Sequence, residues 1–177
     1  MVAEPLRVMC VDDNAAVCDA VRITVSHSEG MSFVGSLASA EGLGEASQGR
    51  CPDIILMDLD MPGPEPFEAM RELRERCPQT RVIVYTGHIR SDLIDRAFDA
   101  GAWGYVGKDE PLESMIRAIR EVAAGRVAFH SPGPSAAHAG NGNRNRRDIA
   151  AHPGRYGSGP RPGSRGTDLP DPHPAGR

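Results

Sequence analysis

Short apolar runs alternate with stretches of helical spacing through about the first 125 residues. Residues 6–11 (LRVMCV) predict a buried strand, and residues 15–27 predict a helix whose apolar face gathers Val17, Val21, Ile23 and Val25. A second strand is expected at 33–37. A short helix is expected at 41–48, closed by Gly49, because glycine tolerates the left-handed residue that ends many helices. Residues 53–57 (DIILM) give the clearest central strand. Residues 65–76 follow as a helix with acids early and arginines late, as its dipole favours, and Pro78 marks its end. Residues 81–85 (RVIVY) are a fourth strand. Ser91 is expected to cap a helix reaching about residue 100, and 104–106 is a short fifth strand. Pro111 opens a last helix with Leu112, Met115, Ile116, Ile119 and Val122 as its stripe, and Gly125 ends it. Five βα repeats of this kind predict a parallel sheet with helices on both faces. Such sheets place ligands at the carboxyl ends of their strands.

The pattern stops near residue 132. Residues 132–177 are rich in Gly, Pro, Arg and Ala, have little to bury, and are expected to be a disordered tail. The segment 135–177 holds seven Arg against three Asp, a net of +4, which leaves −8 for the remainder of a chain whose total is −4. An acidic folded part is a poor non-specific binder of nucleic acid. Lys108 is the only lysine. Cys10, Cys18, Cys51 and Cys77 form no C-x-x-C pair and have no histidine cluster beside them, so free thiols are expected rather than zinc or a disulfide framework. The N-terminal apolar run is too short for a signal peptide, and no stretch approaches the roughly 20 apolar residues of a membrane helix. These readings predict a cytoplasmic protein.

The chemistry lies just past the strands. Asp12, Asp13 and Asn14 follow the first, Asp58 the third, Thr86 the fourth and Lys108 the fifth. Each has a plain alternative: Asp13 or Asn14 as a helix cap, Asp58 as a loop acid before Met61-Pro62-Gly63, Thr86 as a turn residue, Lys108 as a solvated charge. Their convergence on one sheet edge favours a joint role. Clustered carboxylates repel one another unless a cation intervenes, and an all-oxygen set suits Mg²⁺. Asp58 could then attack phosphorus to form an acyl phosphate, with Lys108 offsetting charge and Thr86 bonding a phosphoryl oxygen.

The set VDDN at 11–14, MDLDMPG at 57–63, TG at 86–87 and DAGAWGYVGKD at 99–109 resembles the receiver domain of two-component response regulators, over about residues 5–127. The resemblance implies a doubly wound five-stranded parallel sheet of order 2-1-3-4-5. It implies Asp58 as phosphoacceptor, Asp13 as a direct Mg²⁺ ligand, Asp12 as a ligand through water, and the Asp60 backbone carbonyl as a further ligand. Thr86 and Lys108 would contact the phosphoryl group. Thr86 and Tyr105 would be the switch pair, Tyr105 having edge-strand packing as its alternative. Asp60 and Ile89 flank the site at positions suited to tuning phosphoryl lifetime. A histidine kinase would supply the phosphate, and population shift would carry the signal to the last two helices.

Two features depart from the family's usual pattern. Asp109 and Glu110 precede Pro111 where a proline commonly follows the lysine directly. The loop GPEPFE is also unusually rich in proline. The first feature and the ending AIREVAAGRVAFHSP are similar to the subgroup that carries a LuxR-type helix-turn-helix, a motif not recognisable here. The leading function is a phosphorylation switch, not an enzyme with a released substrate, that signals through a protein contact or a homodimer of the last helices. The alternatives are a transcription regulator lacking its DNA-binding half and a nucleic-acid binder using the Arg/Gly tail. A flavodoxin-like carrier is disfavoured, since acidic DDNAAV would repel a flavin phosphate.

Overall fold

Alternate residues of a strand face opposite ways, so a strand covered on both faces must be apolar throughout. That is the case for β3 (Ile54–Met57) and for the interiors of β1 (Leu6–Val11) and β4 (Arg81–Thr86), whose polar residues Arg7, Arg81 and Thr86 lie at or next to the strand ends. The computed structural model describes residues 4–46 and 49–129. Within them, these strands join β2 (Met31–Leu37), β5 (Gly104–Gly107) and β6 (Ala128–Phe129) in one parallel sheet of order β2-β1-β3-β4-β5-β6. The predicted order of the first five strands holds. The sixth is an addition: Gly125 (φ +80°) turns the chain after the last helix, and Ala128 N donates to Trp103 O at 2.9 Å. Gly104 permits this pairing, because a Cβ there would lie 3.0 Å from the Ala128 carbonyl oxygen.

The side chains divide by parity into two cores. Val8, Cys10, Ile54, Leu56, Ile83 and Val106 face α1 (Ala15–Ser26) and α5 (Leu112–Ala123). Met9, Val11, Ile55, Met57, Val84 and Tyr105 face α2 (Leu43–Ala46), α3 (Pro66–Arg76) and α4 (Ser91–Asp99). In α1, Val21 and Val25, one turn apart, are fully buried, and Val17 is packed against the same core. Ile23 lies on the other side of that helix and is 50% exposed, so its expected place on the buried face is corrected. Leu112, at the first turn of α5, is likewise 38% exposed, while Met115, Ile119 and Val122 are buried as expected.

The helix ends show how local chemistry sets boundaries. Asn14 accepts a hydrogen bond from Ala16 N and caps α1, and Glu65 accepts from Glu68 N to cap α3. Arg90, not Ser91, is the cap residue of α4, and its side chain makes no capping bond. The short second helix begins as a 3₁₀ turn, Ala40–Gly42, with Ser39 Oγ accepting from Glu41 N. The end predicted for it at residue 48 lies outside the described residues, as does the expected tail at 132–177. Arg81 donates to the Val122 and Ala123 carbonyls, closing the C-terminus of α5, where exposed carbonyls favour a cation.

One chemical expectation is overturned. Cys51 and Cys77 form a disulfide, with Cα atoms 5.9 Å apart. Parallel topology is the reason: α3 runs back along β3, so the residue after α3 arrives beside the residue before β3. No sequence motif is needed, only the return of a βα unit to its starting edge. Cys10 and Cys18 remain thiols.

The bond closes a loop spanning 26 residues, and chain entropy assigns about 3.5 kcal/mol to such a closure. Urea unfolding with and without reductant should differ by that amount in the wild type. Cys51→Ala should show no reductant effect, and an equal effect there would assign the loss elsewhere.

Candidate functional site

In β1, β3 and β5 the last hydrogen-bonded rung lies one residue beyond the strand itself. Asp12 N donates to Leu37 O at 2.9 Å, Asp58 N to Val11 O at 2.9 Å, and Lys108 N to Thr86 O at 2.8 Å. The ladder therefore fixes the backbones of three residues bearing charged side chains at one edge of the sheet. Asp12 and Asp58 are 2% and 4% exposed, Asp13 is exposed, and Thr86 is fully buried.

Lys108 joins the two buried acids. Its Nζ lies 2.6 Å from Asp12 Oδ2 and 2.9 Å from Asp58 Oδ2. The other oxygens are held by backbone donors: Asn14 N donates to Asp12 Oδ1 at 2.9 Å, and Leu59 N to Asp58 Oδ1 at 2.8 Å. Asp12 Oδ2 receives no hydrogen bond of good geometry among the described residues, so the ammonium's charge is what compensates its burial. Burial alone would lower the Lys108 pKa, but the close carboxylate contacts with Asp12 and Asp58 outweigh it and raise it above 10.5.

Oxygens of Asp12, Asp13 and Asp58 lie within 4.8 Å of one another. Three carboxylates against one ammonium leave two negative charges in excess. A hard divalent cation matches both that excess and the all-oxygen donor set, so these residues fit Mg²⁺. The Asp60 side chain does not join the cluster. Its Oδ2 lies 2.7 Å from His88 Nδ1.

His88 has a second contact that the sequence did not signal. Its carbonyl accepts a 2.7 Å hydrogen bond from the Tyr105 hydroxyl, and its amide donates to Thr86 Oγ1 at 3.3 Å. Thr86, Tyr105 and Asp60 thus meet at one residue of the β4–α4 loop. Tyr105 is fully buried, and burial pushes its phenol up in pKa, offset in part by a backbone hydrogen bond. It is a packing residue here and also bonded to that loop. Ile89 is packed beside it, and a Cβ on Gly107 would come within 2.7 Å of Ile89 Cδ1. A side chain at 107 would require the ends of the Ile89 and Asp109 side chains to shift. The Glu110 carboxylate accepts from Gly107 N at 3.1 Å, which shapes the turn after Lys108 without a proline there.

A doubly wound parallel sheet with buried acids and a lysine at its carboxyl edge defines a class of acidic-pocket α/β proteins. The profile of the response regulator receiver domain matches residues 8–120, and the chain belongs to that family. It is 32% identical over 129 residues to the transcriptional activator protein ExaE of Pseudomonas putida, covering 71% of this chain and 58% of that protein. The chain thus spans less than two thirds of the length of the curated relatives it matches. Among solved structures, a LuxR-family two-component response regulator from Aurantimonas sp. is 34% identical with a TM-score of 0.67, covering 72% of this chain and 91% of that one. The signal receiver domain of the putative response regulator NarL from Mycobacterium tuberculosis is 27% identical with a TM-score of 0.66, covering 70% and 100%. Membership places the chain in two-component, phosphorylation-dependent signalling.

Because its folded pKa is raised, the Lys108 charge contributes stability that is complete below 10.5 and lost as pH rises through the higher folded value. In metal-free buffer the stability gap between wild type and Lys108→Met should be flat from about pH 7 to 10 and shrink above that range. A gap that widened with pH would contradict the ion pairing.

Proposed function

We propose that Asp58 accepts a phosphoryl group from a sensor histidine kinase and that the phosphorylated chain signals through a protein contact. The observation that carries this reading is the single ammonium shared by Asp12 and Asp58 at the carboxyl edge of the sheet. An Asp58 carboxylate oxygen attacks phosphorus of a phosphohistidine. The O–P bond forms, the N–P bond breaks, and the departing imidazole takes a proton from solvent. Lys108 stays beside Asp58 and offsets charge on the phosphoryl oxygens, and Thr86 turns its hydroxyl from His88 N towards one of them. Asp12, Asp13, Asp58 and the Asp60 carbonyl would hold Mg²⁺, which supplies charge neutralisation at the transferring group. The chain acts on itself and releases no substrate of its own, so it is read as a switch and not as an enzyme.

Tyr105 supports a switching role through its bond to the His88 carbonyl, since any movement of Thr86 passes through the same loop. Among the described residues no helix is long and apolar enough to cross a membrane, and a cytoplasmic location fits a kinase-supplied switch. The name of the P. putida relative favours a second reading, in which the output is control of transcription. DNA binding is not expected from residues 4–129, a homodimer of the last helices is the form that output would take, and the Arg/Gly tail lies outside the described residues.

Acetyl phosphate with Mg²⁺ should retard the wild type on a phosphate-specific gel, and EDTA or Asp58→Asn should each abolish the shifted band. Retention of the band in Asp58→Asn would place the acceptor elsewhere. Asp13→Asn should weaken Mg²⁺ binding by at least tenfold in calorimetric titration, the scale on which losses around a metal fall. Unchanged affinity would remove Asp13 from the ligand set.

A further inference from the structure

The site at the carboxyl edge makes no use of the Cys51–Cys77 pair, which lies at the opposite edge of the same βα unit. Cys51 stands three residues before β3, and Cys77 caps the C-terminus of α3. Both backbones are positioned by bonds that do not involve sulfur. Cys77 N donates to Leu73 O at 2.7 Å, and its carbonyl accepts from Thr80 N at 3.0 Å. Thr80 Oγ1 donates to the Pro52 carbonyl at 2.6 Å, which ties the residue after Cys51 to the turn after Cys77. Phe67, Met70 and Leu73 hold α3 against the sheet through the core. The fold therefore presents the two sulfurs to each other whether or not they are joined, so closing the bond is a local event at high effective concentration.

The two sulfurs differ in access. Cys77 is 2% exposed, whereas Cys51 is only half-buried, beside the exposed Gly49 and Arg50. We infer that Cys51 and Cys77 form a reversible redox-modification site, exchanging with small-molecule thiols and disulfides. The inference rests on the cytoplasmic placement proposed above, since disulfides in a reducing compartment are characteristically transient. In reduction, a thiolate attacks Cys51 Sγ. A mixed disulfide forms there, the Sγ–Sγ bond breaks, and Cys77 leaves as a thiolate that takes a proton. A second thiolate attacks the reductant's sulfur, giving a small disulfide and the Cys51 thiolate, which is protonated in turn. Two electrons pass to the protein and two reductant thiols become one disulfide; oxidation by a small disulfide is the reverse. Cys10 and Cys18 form the contrasting pair. Their sulfurs lie 3.7 Å apart, the Cys18 thiol donating to Cys10, and no disulfide joins them although Cys18 is half-buried like Cys51; Cys10, 1% exposed, is the one small thiols do not reach.

The test equilibrates the full chain with graded ratios of reduced and oxidised glutathione. Each sample is then acid-quenched, denatured, alkylated and weighed intact. The expected result is a reversible change from two to four alkylated cysteines, with circular dichroism unchanged throughout. A bond that opens only when urea is added would overturn the inference, as would thiols that stay reduced at the highest disulfide ratio. In Cys77→Ala, oxidised glutathione should modify Cys51; in Cys51→Ala, Cys77 should stay unmodified while the chain is folded. The opposite pattern would overturn Cys51 as the attacked sulfur. Labelling of Asp58 in the same samples reports separately on the phosphoacceptor reading. Reversible exchange without labelling would end that reading alone, and labelling with a bond inert in the folded state would end this one alone.

Discussion

Burying two carboxylates side by side is unfavourable unless a cation lies between them, and the Lys108 ammonium supplies that cation for Asp12 and Asp58. Much else in the structure serves to bring three strand ends together at this point. Lys108 can reach both acids because β5 delivers it from one side of the sheet while β1 and β3 deliver the acids from the centre. The backbone ladder extends one rung past each of these three strands, so these positions are set by main-chain bonds rather than by mobile loops. The same compensation is incomplete: one positive charge faces three negative ones, counting the exposed Asp13. The pocket therefore keeps an excess of negative charge on its open side, where a further cation would offset it.

The strands and the pocket were legible in the sequence because both are written in local residue types. Buried parallel strands are continuous apolar runs, and the charged residues follow them directly. What could not be read depends on distance in space. The disulfide joins residues far apart in sequence that become neighbours only when α3 returns along β3. The sixth strand is two residues long and exists because Gly104 admits a close backbone approach. Ile23 looked like a core residue by type, yet its angle around α1 takes it away from Val21 and Val25. Ser91 has the chemistry of a cap, but Arg90 occupies the capping position. His88 carries no motif at all. Its role comes from its carbonyl, which any residue would supply, and from an imidazole that happens to face Asp60.

The two cores also differ in what they ask of the chain. On the α1 and α5 side, two twelve-residue helices pack aliphatic side chains against the sheet. On the other side, shorter helices cover the strands, and α4 brings just one fully buried residue, Ala97. Tyr105 packs on this face and ends in a hydrogen bond to the β4–α4 loop. A helix that buries a single side chain can shift with less loss of packing than α3, which buries Phe67, Ala69, Met70 and Leu73 on the same face. The sequence places the residues linked to the pocket on that side.

The short pairing between β5 and β6 has a mechanical meaning. Among the described residues, Gly104 and Tyr105 are matched to the sixth strand, opposite Ala128 and Phe129. The fifth strand is thus clamped at its base, on the side away from β4. Its tip leads directly into Lys108. A displacement beginning at the ammonium therefore meets, one strand away, a clamp that holds the backbone of the buried aromatic residue in place.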